Sequence, residues 1–233
     1  MRKILLSLMS VALVLVVGAN AKDKKVAKDF RAVSPATAQI EQSGKAKMFC
    51  PVCGMTLPSF YRTNHTAVVN GKVHQYCSIH CMIEEAMLKG TKVVKPRAVD
   101  NSTMKFIDAN KAFYVVGSKK PSTMSMVSKY AFGTEKAALD FSKKFGGKIM
   151  SYAQVSKIVR KNLKKEIMGI KKKQAKMAMM GKKIYNKMCK KTDIRFATPA
   201  LAKVYIQENN LCGKIKGKPF QAVALYLAGK GEN

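Results

Sequence analysis

The sequence predicts an α+β protein built as two tandem β-β-α-β units, followed by a basic linker and a small all-α C-terminal domain. Three observations predict it. Residues 48 to about 156 alternate short strand-like runs with helical ones. Within them the same signals recur at an offset of 56 residues, pairing Tyr76 with Phe132, Ser78 with Thr134, Ile83 with Leu139, Glu84 with Asp140 and Gly90 with Gly146. Beyond residue 157 the strand signals give way to apolar positions at helical spacing on a strongly basic background.

At the N-terminus, Arg2 and Lys3 precede an uncharged run from Ile4 to Val17, and Ala19-Asn20-Ala21 supplies a small-x-small cleavage pattern. Residues 1–21 therefore read as a secretory signal peptide, the run being shorter than the ~20 residues a spanning helix needs. The expected location is the periplasm, in soluble form, because no cysteine follows the apolar run to carry a lipid. The chain carries 44 basic residues against 13 acidic ones, a formal charge of +31, or +29 once residues 1–21 are removed. With 47% apolar residues it can bury a core, which argues against a disordered polycation. An exported protein meets no chromosome, so nucleic acid is set aside, and an acidic protein or an anionic membrane becomes the expected counterpart of the charge.

Residues 22–47 mix charge, Pro and Gly with little periodicity and read as a flexible leader. In the 48–156 domain, strands are expected at Thr66–Val69, Lys72–Tyr76 and Ala112–Gly117. Ser78 and Thr134 are placed to cap the starts of two helices, and Gly90 and Gly146 to end them. Strands at Val93-Val94 and Ile149-Met150 then close the two units. Residues 157–175 read as a basic helical linker, and 157–191 together hold 14 basic residues and one acid, Glu166. That stretch is a candidate for peripheral contact with an anionic membrane. The segment 176–233 reads as three short helices, with starts at Thr198-Pro199 and near Pro219.

The chemistry concentrates in one window. Cys50, Cys53, Cys77 and Cys81, with all three histidines, lie within 32 residues, spaced C-x2-C, 23 residues, C-x3-C. Two close pairs of cysteines signal a metal site without naming the metal. A structural Zn(II) site and disulfides stay open beside a functional site. Methionines tilt the reading: Met48 and Met55 flank the first pair and Met82 follows Cys81, among 15 in the chain. Thioether suits Cu(I) and is a poor zinc ligand. Gly54 lets the chain turn so that Cys53 and Met55 can face one ion. His80 reads as a surface residue, and His65 and His74, in strand-like segments, as structural.

Cys53-Gly54-Met55, Asp100-Asn101 with Phe106–Ala109, Ala112–Ser118 with Thr123-Met124, Ala131–Ala137 and Phe145–Ile149 together resemble the NosL family, accessory copper proteins of nitrous-oxide reductase. The resemblance covers about 48–156. It implies a periplasmic, non-enzymatic Cu(I) metallochaperone that delivers copper for the copper-sulfide site of that reductase or to its membrane maturation complex. It also implies that Cys53, Met55 and, from the second unit, Met124 hold one Cu(I) between the units. Cys50, Cys77 and Cys81 exceed the family pattern and are added as candidate ligands. Tyr76–Cys81 is similar to the cysteine motifs of TRASH or YHS-type heavy-metal modules, which keeps a structural-zinc interaction module as the alternative. A thiol-disulfide oxidoreductase using Cys50-Pro-Val-Cys53 would need a strand before the motif and a helix starting at it, and neither is visible.

Gly181–Cys189 and Gly217–Leu227 look like the first and last helices of a small c-type cytochrome. Cys189 is followed by Lys-Lys-Thr-Asp rather than the pattern that attaches haem, and no histidine lies beyond His80, so no haem is expected. Cys189 and Cys212 are candidates for a disulfide that staples this domain.

Overall fold

Asn70 and Gly71, with φ of 49° and 74°, form the two-residue turn that an Asn-Gly pair favours in a hairpin. They join β1 (His65–Val69) to β2 (Lys72–Tyr76), with Val69 paired to Lys72 and His65 to Tyr76. Ser78, extended at φ −164°, starts α1 (Ile79–Leu88), and Gly90 at φ 62° turns the chain back into β3 (Val94–Val99). β3 lies antiparallel beside β1, and β4 (Phe106–Asp108) extends the sheet to the order β2-β1-β3-β4. This is a computed structural model, and it describes residues 29–231. The expected signal peptide, 1–21, lies outside the described residues.

The element order then recurs. β5 (Phe113–Val116) and β6 (Lys129–Phe132) lead to α2 (Glu135–Phe145) and β7 (Lys148–Ser151), in a sheet ordered β6-β5-β7. In each sheet the opening strand sits between its two successors, antiparallel to both. The chain is thus mixed α/β with two small antiparallel sheets. The 56-residue offset holds from the end of the second strand through the helix, but not for the opening strands. A two-residue turn joins β1 to β2, whereas residues 117–128 separate β5 from β6. The sheets meet where Asp100 bridges Ala131 and where the His65 ring stacks on Tyr114 at 5.9 Å.

The C-terminal region departs from expectation. Instead of a linker over 157–175 and a domain from 176, one 37-residue helix, α3 (Tyr152–Met188), runs through both, started by a Ser151–Gln154 capping box. Val155, Val159 and Leu163 are buried against the α/β part, and Ala178, Gly181 and Tyr185 against the helices that follow. The basic residues occupy the opposite, solvated face, so charge density concealed a helix with a buried stripe along its length. α4 (Pro199–Glu208) and α5 (Gly217–Leu227) complete the chain, with the Thr198 hydroxyl accepting from the Leu201 amide. Gly181 lets α5 cross close: a Cβ there would lie 2.0 Å from the Ala222 carbonyl oxygen. Cys189 and Cys212 are disulfide-bonded.

Residues 29–47, expected to belong to a flexible leader, are packed. Phe30 lies edge-on to Tyr130 at 5.5 Å, and the Val33 amide donates to the Pro58 carbonyl. Glu41 pairs with Arg97, while Gln42 accepts from the Gln75 amide and donates to the Phe49 carbonyl. Polar side chains here bond to backbone elsewhere in the molecule, which a search for apolar periodicity does not detect.

Candidate metal centre

Phe49 bridges Thr56, and inside that bridge the Cys50 amide donates to the Met55 carbonyl at 2.9 Å and the Gly54 amide to the Cys50 carbonyl at 2.8 Å. Gly54 supplies the left-handed turn at φ 72°. A Cβ there would also lie 2.6 Å from Cβ of Pro199, because the start of α4 rests on the knuckle. Cys77 follows the end of β2, and Cys81 sits in the first turn of α1. The four sulfurs lie within 4.8 Å of one another, with Cys53–Cys77 at 3.5 Å and Cys77–Cys81 at 3.7 Å. All four are free thiols at 0–1% exposure. No helix starts at Cys50 or Cys53, so the knuckle lacks the framework of a Cys-x-x-Cys oxidoreductase.

Four buried thiols cannot all ionise, and the nest divides the burden. Burial raises Cys50, but the Cys53, Cys77 and Cys81 thiols donating to it outweigh burial and hold it well below the usual thiol value. Cys77 is pushed well up, by burial first, and Cys81 well up, by its hydrogen bond to Cys50 first. Cys53 is raised as well, chiefly by Cys50. The four thiols thus differ in how readily they ionise, and a soft cation would displace their protons.

Met48, Met55, Met82 and Met124 fall in three environments. Met82 is buried in the core, and Met48 packs among the C-terminal helices. Met55 and Met124 are half-buried against the same core cluster as the cysteines, and with Cys53 they line a cavity of about 670 Å³. Met124 comes from the long β5–β6 connection and holds φ 55°, a conformation that is costly for a side chain with a Cβ. Its neighbour Thr123 is buried, with its hydroxyl 2.9 Å from that of Thr63, which lies 2.8 Å from the Cys77 carbonyl. The connection from the second sheet is therefore pinned to the cysteine nest of the first. Cys50, Cys77 and Cys81 sit behind Cys53 and do not line the cavity.

None of the three histidines joins the nest. His65 is bound by the Thr63 carbonyl and the Tyr114 hydroxyl, each at 3.0 Å. His74 lies 3.0 Å from the Glu85 carboxylate. His80, expected on the surface, is 1% exposed, because α3 covers it. Its Nδ1 lies 2.9 Å from Glu166, and its Nε2 3.4 Å from Glu84. Burial alone would lower its pKa, but the two carboxylates outweigh burial and raise it. Glu166, the single acid in the basic stretch, thus docks α3 onto α1, and its isolation among 14 basic residues was the available signal.

Sequence reasoning also missed the grip of the C-terminal helices on the knuckle. Gln221 Nε2 donates to the Cys53 carbonyl at 2.9 Å. Lys203, 1% exposed, reaches the Thr56 hydroxyl at 3.3 Å and lies over the Phe49 and Phe220 rings at 5.0 and 4.8 Å. Burial pushes its ammonium down to about 8, against the pull of the Cys53 and Cys50 thiols. A lysine inside a helical stretch carries no sequence mark that it will be buried.

No curated protein matches the chain. Among solved structures, the chain resembles the crystal structure of the copper chaperone NosL from Shewanella denitrificans, with 23% identity over 52% of this chain and 96% of that chain and a TM-score of 0.40. Residues 41–159, more than half of the chain, match the NosL family and contain the knuckle, both sheets and the Met124 connection. The chain belongs to the NosL family.

Proposed function

We propose that this chain is a periplasmic Cu(I) carrier, without catalytic activity of its own, that delivers copper for assembly of the copper-sulfide site of nitrous-oxide reductase. One observation carries the reading: an all-sulfur nest whose member Cys53 forms part of a cavity wall together with Met55 and Met124. Thiolate and thioether select a soft monovalent ion over hard ones. A carrier must also release its cargo, and Cys53 at the cavity offers an incoming ligand a place to attack. Low coordination by Cys53, Met55 and Met124, with Cys50, Cys77 and Cys81 as reserve thiols, would hold the ion without caging it. The name of the solved relative, a copper chaperone, supports the cargo. The family supports the client through what members of it do.

The second reading is a structural Zn(II) site, and the burial of all four cysteines favours it. Tetrahedral zinc with Zn–S of about 2.3 Å places its sulfurs about 3.8 Å apart, near the observed 3.5 and 3.7 Å. Titration of the reduced full-length mature chain with Cu(I) and Zn(II) against competing chelators separates the two. For a carrier, Cu(I) binds tightly, Met55→Ala and Met124→Ala each weaken it about tenfold or more, and zinc is readily displaced. Zinc that resists chelators, with both variants unchanged, makes the nest a staple. Deleting the gene tests the client: reductase that still acquires its full copper-sulfide site removes that assignment.

A further inference from the structure

The cavity beside Cys53 is far larger than one ion requires, and its soft donors extend beyond the proposed ligands. Met126, from the same connection as Met124, and Met177, from α3, also line it. The five residues range from exposed to buried. Met126 is 82% exposed, Met124, Met177 and Met55 are half-buried, and Cys53 is 1% exposed. Met177 lies beyond residues 41–159, so the C-terminal extension of this chain supplies it. Among the described residues Glu166 is the only carboxylate in the wall, and it is engaged by His80. The remaining side-chain oxygens of the wall, on Ser122, Ser125, Asn162, Gln174 and Gln221, are neutral and stand beside Arg31, Lys165 and Lys173, which disfavours a hard divalent cation.

We propose that Met126 and Met177 form a thioether relay that conducts Cu(I) between solvent and the site at Cys53, Met55 and Met124. This rests on the reading of the nest as a Cu(I) site. Each step forms one Cu–S bond and breaks another, and copper stays monovalent throughout. At the nest the receiving thiol gives its proton to solvent. Charge sets the direction. A thioether complex keeps the positive charge of the ion, and Arg31, Lys165 and Lys173 line the same cavity, with the Lys173 ammonium 3.9 Å from the Met126 sulfur. That complex is weak and brief. Thiolates cancel the charge, so the ion is more stable at the inner end. Met126 and Met177 thus govern rate, while Cys53, Met55, Met124 and the thiols behind them govern affinity.

The test uses the reduced full-length mature chain, with Cu(I) supplied and withdrawn as its bicinchoninate complex. In the double variant Met126→Leu/Met177→Leu the side-chain volumes are nearly kept and the sulfurs lost. Uptake and release should each slow about tenfold or more, by the same factor, with the equilibrium affinity unchanged within about twofold. Met179→Leu and Met188→Leu, exposed on α3 and absent from the cavity, should leave the rates alone. Normal copper binding with unchanged rates in the double variant overturns the relay and leaves the carrier standing. An affinity that falls as much as the rate also overturns it, because the two methionines are then resident ligands. A wild-type chain that binds no Cu(I) removes carrier and relay together.

Discussion

The two sheets of this protein share a β-β-α-β order of elements, to which the first alone adds β4, and they have different chemistry. At the repeat offset, Gly133 and Ala137 stand where the first unit has Cys77 and Cys81. A side chain at Gly133 would crowd the Asp100 carboxylate, since a Cβ there would lie 3.3 Å from it. The helices differ as much as the loops. α1 buries seven residues, because sheet strands lie on one side of it and α3 on the other. α2 buries only Ala138, having its own sheet on one side and solvent on the other. A repeated hydrophobic pattern therefore fixes the order of elements, while burial on the second side of the helix decides where a reactive nest can form. The second unit contributes through its long β5–β6 connection, which places Met124 at the nest of the first.

The sharpest way to break this contrast is to truncate the same repeat position in both units. Ile83 is 0% exposed and Leu139 is 42% exposed. Ile83→Ala should cost about 3–4 kcal/mol through lost burial and a residual cavity. Leu139→Ala should cost under about 1 kcal/mol. Urea unfolding of the reduced chain measures both. Equal losses would mean that α2 is covered in solution by something the single chain does not provide.

Acid probes the seam between the units, where His65 of β1 meets Tyr114 of β5. Burial first, and Lys129 with it, push His65 down to about 4, against the hydrogen bond to the Thr63 carbonyl. As pH falls below about 6.5 the unfolded chain takes up a proton that the folded chain refuses, so stability falls until about pH 4. The shift corresponds to as much as about 3 kcal/mol. His80 has the opposite sign. Its raised folded pKa stabilises the fold at low pH, and that contribution is lost as pH rises through the folded value. Urea midpoints followed across this range should therefore flatten in His65→Asn and steepen in His80→Gln. A wild-type profile that is already flat, with neither variant altering it, would mean the seam is hydrated.

Much of the α/β part is legible in sequence because its signals are local. Ser78 and Thr134 start helices, and Gly90 and Gly146 end them. The cysteine nest is legible for the same reason, since two short spacings bring four sulfurs to neighbouring turns. What sequence did not disclose depends on distant partners. Gln221 gripping the Cys53 carbonyl, Lys203 buried over Phe49, and Gln42 tying Phe49 to β2 each join residues far apart in the chain. The continuous α3 was obscured differently. Its apolar stripe is present in the sequence, but a high density of Lys drew the reading toward a solvated linker.

The helix caps give the smallest and most local test of the comparison. Thr134 and Ser78 occupy the same repeat position, both extended, both ahead of a helix. The Thr134 hydroxyl accepts from the Ala137 amide at 3.3 Å, whereas the Ser78 side chain makes no capping bond. α2 needs the cap more, because little of it is buried and its first turn depends on local bonds. Thr134→Ala should cost about 1 kcal/mol and speed hydrogen exchange at the Ala137 amide. Ser78→Ala should cost only about 0.5 kcal/mol or less and leave exchange in the first turn of α1 unchanged, because packing holds that turn. A Ser78→Ala loss as large as that of Thr134→Ala would show that the hydroxyl beside Cys77 supports the nest itself, making the first unit dependent on its cap for chemistry rather than for helix formation.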